Sequence, residues 1–364
     1  MSEDWINVRD PERIAAEKLE PGPLGYFAGG AGDEITLRDN EAAWKRWRLR
    51  PRMLVDVSAV DTGVDLLGAP LSMPVIVAPV AYQRLVDPEG EVGMARAAAA
   101  AGTAMCLSTL ATARPSEVAA AAPGARHWFQ LYQFSDEAIT QALVDEAVAH
   151  GFEAIVVTAD LPPGGNRERD LRNGFTLPQG LGIPSVSAAL GSERAVTVEE
   201  TFALMDLSLE WPSFGALTAG SEVPVLIKGI LTAEDAALAV EHGAAGVIVS
   251  NHGGRQLDCA VASADALPEI AEAVAGRVPV LVDGGIRRGT DIAVALALGA
   301  DAVLVGRPAL WGLAAAGAAG AERVLSILRA ELELTLGLCG CPSPRALTRD
   351  QLRRSPAASV YSDQ

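Results

Sequence analysis

The sequence predicts a TIM (β/α)8 barrel, and three observations carry that prediction. Short apolar runs recur eight times between residues 74 and 306, most of them separated by segments of helical periodicity. The chain has 364 residues, 49% hydrophobic and 21% charged, which suffices for one large α/β core. Neither G-x-G-x-x-G nor G-x-x-x-x-G-K-[ST] occurs, which weighs against the rival open, doubly wound sheet. A single domain over residues 1–364 is expected, with a helical cap at 1–73, the barrel at 74–338 and a tail at 339–364.

In the cap, Asp10-Pro11-Glu12 predicts a helix over residues 10–19, with Asp10 as N-cap and proline in the first turn. Tyr26-Phe27-Ala28-Gly29-Gly30-Ala31-Gly32 reads as a tight glycine-rich patch with a tyrosine free to face a ligand. The first four strands are expected at Val75-Ile76-Val77-Ala78, Ala104-Met105-Cys106-Leu107, Trp128-Phe129-Gln130-Leu131 and Ala154-Ile155-Val156-Val157. Val225-Leu226-Ile227, Val247-Ile248-Val249, Val280-Leu281-Val282 and Ala302-Val303-Leu304-Val305 supply the other four. Helical periodicity is clear at 232–242 and 290–298. Between the fourth and fifth strands lies a long insertion, about 161–220, opening on Pro162-Pro163-Gly164-Gly165. At the C-terminal mouth of a barrel such a connection is a candidate lid.

Charge narrows the partners. With 29 Lys+Arg against 46 Asp+Glu the net charge is −17, which argues against nucleic acid and anionic membranes. No apolar stretch reads as a membrane span, and the acidic start lacks the order of a secretory signal. Cys106, Cys259, Cys339 and Cys341 do not form a disulfide framework. Cys339-Gly340-Cys341 has neither redox nor zinc spacing, so no metal is expected and the compartment is taken as cytoplasmic.

Barrel ligands gather where strands end. Those ends carry Pro79-Val80-Ala81-Tyr82, Ser108, Gln130 with Tyr132, Thr158 with Asp160, and Lys228. The sixth strand runs into Ser250-Asn251-His252-Gly253-Gly254-Arg255-Gln256-Leu257-Asp258. A histidine is a base near neutral pH, and an arginine clamps carboxylates with paired hydrogen bonds. A surface loop with an ordinary histidine is the competing reading of these nine residues. Asp283-Gly284-Gly285-Ile286-Arg287-Arg288-Gly289 and Gly306-Arg307-Pro308 follow the last two strands. Glycine-rich turns with arginines there suit a phosphate, and the helix opening near Gly289-Thr290 is expected to point its N-terminus at it. Lys228 is either a rim ion pair or a cation beside an electron-accepting ring.

Together the His252 nonapeptide, Leu281-Val282-Asp283-Gly284-Gly285-Ile286-Arg287-Arg288-Gly289 and Ile227-Lys228-Gly229 resemble the FMN-dependent α-hydroxy acid oxidase and dehydrogenase family, which includes glycolate oxidase, lactate oxidase and mandelate dehydrogenase. The resemblance runs from the Tyr26 region to Leu338. It implies FMN as cofactor and an (S)-2-hydroxy acid oxidised to a 2-oxo acid. It makes His252 the base and Asp160 the carboxylate that orients it. Tyr26, Arg167 and Arg255 would hold the substrate carboxylate, and Tyr132 its hydroxyl. Pro79, Val80, Ala81, Ser108, Gln130, Thr158, Lys228 and Ser250 would contact the flavin. Asp283, Gly285, Arg287, Gly306 and Arg307 would cradle the ribityl chain and phosphate.

One departure and two likenesses shape the expected substrate and acceptor. Leu110 stands where glycolate-type members carry tryptophan, leaving room for a bulkier molecule. Ala78-Pro79-Val80-Ala81-Tyr82-Gln83-Arg84-Leu85 resembles the segment of bacterial 4-hydroxymandelate oxidases, favouring an aryl substrate such as mandelate or 4-hydroxymandelate. Ala81 is similar to the oxidases, whereas lactate monooxygenase has glycine there, so O2 with release of H2O2 is expected. A tetramer follows from the resemblance alone. The alternatives are a short-chain oxidase, a dehydrogenase with another acceptor, an isomerase-type FMN barrel, and a flavin-binding scaffold without turnover.

Overall fold

A computed structural model describes residues 4–161 and 163–355. Pro162 of the expected lid opening, the first three residues and the tail beyond 355 lie outside the described residues. The chain opens with α1 (Arg9–Lys18), α2 (Pro21–Ala28), α3 (Ile35–Trp44) and β1 (Trp47–Leu49), followed by the hairpin β2 (Val64–Leu66) and β3 (Ala69–Leu71). Helix α1 begins one residue before the expected start. Asp10 lies inside its first turn and reaches back, its Oδ2 accepting from the N–H groups of Ile6 (2.8 Å) and Asn7 (3.1 Å). The first half of the Tyr26 patch is helical, because Pro21 and Pro23 start α2 and the glycines come only after Ala28.

The barrel alternates β4 (Val75–Val77), α4 (Gly90–Ala100), β5 (Met105–Ser108), α5 (Pro115–Ala121), β6 (His127–Leu131), α6 (Glu137–Ala149) and β7 (Ala154–Thr158). The interval before the next strand holds α7 (Glu168–Arg172), α8 (Pro184–Ala189), α9 (Val198–Leu204) and α10 (Trp211–Gly220). The second half runs β8 (Val225–Ile230), α11 (Ala233–Glu241), β9 (Gly246–Val249), α12 (Ser263–Val274), β10 (Val280–Val282), α13 (Gly289–Ala297), β11 (Ala302–Val305) and α14 (Arg307–Cys339), broken at Ala316 and Gly317. All eight expected runs are strands. They pair in parallel from β4 to β11, and the register Val303↔Val75 closes the ring.

Two expected boundaries differ. The last part of the 161–220 insertion is α10, which packs beside the end of α11: the Thr218 hydroxyl meets the His242 carbonyl at 2.8 Å. It is therefore a ring helix, and the lid ends near residue 210. The expected tail returns to the body: β12 (Leu352–Arg354) pairs antiparallel with β1.

The period-two pleat explains the core. Ile76, Cys106, Trp128, Val156, Leu226, Ile248, Leu281 and Leu304 join one apolar cluster inside the ring, and Leu66 and Leu71 of the hairpin close it below. Their strand neighbours, such as Val75, Val77, Leu107 and Phe129, face the helices. Burying each such aliphatic side chain contributes about 1.5–3 kcal/mol.

Candidate active site

The same pleat builds the floor of the site. Two residues beyond those inward side chains stand Ala78, Ser108, Gln130, Thr158, Lys228, Asp283 and Gly306, with Ser250 in the same register but withdrawn behind Lys228. Above that floor is a cavity of about 600 Å³, roofed by lid residues including Phe175, Val198 and Phe202. Its wall carries Tyr26, Pro79, Val80, Ala81, Leu110, Tyr132, Arg167, His252, Arg255, Gly285, Arg287 and Arg307. Every expected site residue faces it except Asp160 and Ser250.

The nonapeptide after β9 is a junction. His252 takes a left-handed backbone (φ +57°), and its Nδ1 lies 2.8 Å from Asp160 Oδ1 behind it. Gly229, in a bulge of β8 at φ +109°, makes room, since a Cβ there would come within 2.8 Å of the Asp160 carboxyl carbon. Burial would raise the Asp160 carboxyl, but the His252 charge and hydrogen bond and nearby Lys228 hold it below its ordinary value. Asn251 and Asn40 exchange amide bonds of 2.8 and 2.7 Å. Gln256 Nε2 donates to the Asp160 carbonyl at 2.6 Å, and Asp258 Oδ1 accepts from Thr36 N at 2.9 Å at the start of α3. The loop thereby fixes the cap to the barrel mouth.

Ser250 is a correction. Its hydroxyl sits behind the surface, accepting from Lys228 Nζ (2.6 Å) and His252 N (3.0 Å), so it links lysine to histidine and does not face the cavity. Lys228 also meets Asp283 Oδ2 at 3.1 Å, and both are buried. Burial lowers the lysine, but Asp283 and Asp160 outweigh it and raise it above its ordinary value.

At one end of the cavity two guanidiniums lie over the Tyr26 ring, Arg255 at 4.8 Å and Arg167 at 5.4 Å from its centroid. Arg255 Nη1 donates to the carbonyls of Tyr26 and Gly29, and Arg167 contacts Asp170 at 3.3 Å. Next to them, Arg307 spans the carbonyls of Phe27, Gly253 and Gly29 at 2.8–3.0 Å, sharing the Gly29 carbonyl with Arg255. Arg287 reaches Glu41 at 3.1 Å. Burial lowers Arg255, Arg287 and Arg307, the last to about 9 with Arg255 and Arg287 adding to the effect. Such a wall favours anions.

The expected phosphate helix is a second correction. The N-terminus of α13 is taken by carboxylates: Gly289 N donates to Glu331 Oε2 (2.8 Å), while Arg287 N and Arg288 N donate to Asp291 Oδ2 (3.0 Å each). The helix that opens toward the cavity is α14, with Gly306 as its N-cap and no side chain capping it. A flavin mononucleotide fits these residues. Gln130 Nε2, Asp283 Oδ1 and Arg287 Nε are buried without partners among the described residues, leaving polar atoms for a ring, a ribityl hydroxyl and a phosphate. Gly285 suits a closely packed turn there: at φ +77° a Cβ would fall 2.0 Å from the Asn40 carbonyl oxygen. Among the described residues no cluster of three or more His, Cys, Asp or Glu could hold a metal, and no helix is long and apolar enough to cross a membrane.

Tyr82 at the end of the first barrel strand, and the lid residues at 175–181, 195–199 and 202 that complete the cavity, carry no site signal in the sequence. Only the Thr197-x-x-Glu200 capping box announced α9 locally.

A closed parallel barrel with a base, paired arginines and a phosphate-ready helix at its mouth defines a flavin-type oxidoreductase. Residues 15–354 match the FMN-dependent dehydrogenase family model, and the chain belongs to that family of FMN-dependent α-hydroxy acid oxidases. It is 48% identical to an L-lactate oxidase of Nostoc sp., over 92% of this chain and 94% of the relative. With glycolate oxidase 3 of Arabidopsis thaliana the identity is 46%, over 95% of each. A mandelate oxidase crystallised with (S)-4-hydroxymandelic acid superposes with a TM-score of 0.91 at 44% identity, covering 97% of this chain and all of the other.

Proposed function

We propose that this enzyme oxidises an (S)-2-hydroxy acid with an aryl side chain, of the mandelate or 4-hydroxymandelate type, to the 2-oxo acid, with O2 as acceptor and H2O2 as product. The observation that carries this reading is that His252, backed by Asp160, faces one cavity with Arg167 and Arg255. A substrate anion is held by Arg255, Arg167 and Tyr26, which fixes its α-carbon and screens it from the acidic protein. Tyr132 holds the substrate hydroxyl, its own proton retained because burial and nearby Asp160 raise its pKa. His252 Nδ1 is engaged by Asp160, so Nε2 is free to accept the proton, and the carboxylate stabilises the imidazolium that forms. FMN supplies the two-electron acceptor of the reaction when bound. Ala81, Ser108, Gln130, Thr158 and Lys228 would flank its ring, Asp283 its ribityl chain, and Gly285, Arg287, Gly306 and Arg307 its phosphate.

Leu110 and the aromatic lining by Tyr26, Tyr82 and Phe175 support the aryl substrate. Lactate and glycolate oxidases among the relatives keep a short-chain substrate as the second reading. A cytoplasmic homo-oligomer, a tetramer by family resemblance, completes the proposal. The test is anaerobic addition of (S)-mandelate, lactate and glycolate to the yellow protein. Fastest bleaching by mandelate is expected, and faster bleaching by lactate or glycolate would favour the short-chain reading. His252→Ala should keep FMN but lose about 10²–10⁴-fold in flavin reduction. Normal bleaching of that variant would overturn the assignment of the base.

A further inference from the structure

We propose that the Tyr82 hydroxyl recognises a hydrogen-bonding substituent on the substrate's aryl ring, which makes Tyr82 a specificity-determining residue of this chain. The inference rests on the aryl 2-hydroxy acid reading above. Tyr82 is 2% exposed, lines the cavity, and its hydroxyl has no hydrogen-bond partner among the described residues. An unpaired buried hydroxyl is costly, and one at the wall of a ligand cavity gains its partner when a ligand presents one.

The position of the ring is enforced. Tyr82 adopts φ +56°, a conformation that tyrosine rarely takes. Two bonds hold it there: its own N–H donates to the Leu110 carbonyl (3.2 Å), and the next N–H, of Gln83, donates to Glu91 Oε1 (3.0 Å). Glu91 is wholly buried and also accepts from Thr112 N (2.9 Å) and Thr112 Oγ1 (2.6 Å). One carboxylate therefore ties the loop after β4 to the loop after β5. Through them it sets Tyr82 against Leu110, the residue that enlarges the pocket.

The surroundings place Tyr82 between the carboxylate clamp and the lid. Tyr82 and Tyr132 both feel Tyr26 and Arg167, but Tyr132 also feels Asp160 and Arg255, whereas Tyr82 also feels Glu199 of the lid helix α9. Its ring lies 5.7 Å from that of Tyr26, and Leu161, Val198 and Phe202 supply apolar lining to the same cavity. In an apolar pocket one methyl more or less discriminates weakly. A pocket built to hydrogen-bond a substrate group rejects the analogue lacking it far more strongly.

The test compares kcat/KM for (S)-4-hydroxymandelate with that for (S)-4-methylmandelate, which is of similar size but cannot make the bond. The native enzyme should prefer the hydroxy compound by at least about tenfold, and Tyr82→Phe should collapse that ratio toward one. The ratio is read within each protein, so a general loss of activity in the variant does not disturb it. A native ratio near one, or a ratio unchanged in Tyr82→Phe, overturns the inference while mandelate turnover leaves the aryl reading standing. If no mandelate reduces the flavin and lactate does, the aryl reading itself fails and takes the inference with it.

Discussion

Arg287 stands buried and Arg255 and Arg307 half-buried in one cavity wall, and among the described residues Glu41 is the carboxylate that meets the Arg287 guanidinium. Burial, with Arg255 and Arg287 adding to it, pulls Arg307 down to about 9, below its value in an unfolded chain. A cation lowered in this way costs stability while it is charged. A guanidinium keeps its proton throughout the working pH range, so the cost is present at every such pH. A phosphate dianion beside it offsets that cost. FMN at about a hundred times its Kd adds about 2.7 kcal/mol to stability. The rise in Tm on adding FMN to apoprotein should therefore be smaller in Arg307→Met than in the native protein, read by thermal melts of both. An equal rise in the two proteins would remove Arg307 from the phosphate site.

Elements hold these groups in place, and the lid gives the sharpest case. Gly165, two residues before Arg167, donates its N–H to Gln256 Oε1 at 3.1 Å, and a Cβ on it would fall 2.2 Å from the Arg255 carbonyl oxygen. Gly165→Ala must push the lid off the His252 loop. Overpacking of this kind costs about 1–3 kcal/mol, so kcat/KM should fall by about 10–100-fold while FMN stays bound. Unchanged kinetics would mean that the lid does not need this contact. The barrel strands were legible because each is buried on both faces, and its apolar run is a local signal. Residues two beyond the core follow from the same pleat, so Ser108, Gln130, Thr158 and Lys228 were legible as floor residues. What stayed hidden depends on distant partners. Glu331, 42 residues on, occupies the N-terminus of α13, and Lys228, 22 residues back, claims the Ser250 hydroxyl. Helix α10 was absorbed into the lid although Pro212 in its first turn was a start signal.

At the scale of the molecule, a net charge of −17 disfavours self-association, so an interface between copies needs apolar surface to outweigh it. Such surface exists. Met53 and Leu54 are 68% and 106% exposed, and Leu54 also carries a left-handed backbone at φ +59°. Their loop is bonded to the end of α14 through Arg52 N and the Cys339 carbonyl (3.1 Å), where Leu334 and Leu338, one turn apart, are 64% and 66% exposed. Leucines exposed together on a loop and an adjoining helix mark a contact face, and the proposed oligomer gives that face a second copy of this chain to meet. Leu54→Asp combined with Leu338→Glu should lower the mass measured by light scattering, because paired like charges would then face each other across the interface. On a monomer the same changes cost no more than about 0.5 kcal/mol each, so FMN content and melting should change little unless the interface is real. Wild-type protein running as a monomer at micromolar concentration would leave those leucines without the partner proposed for them.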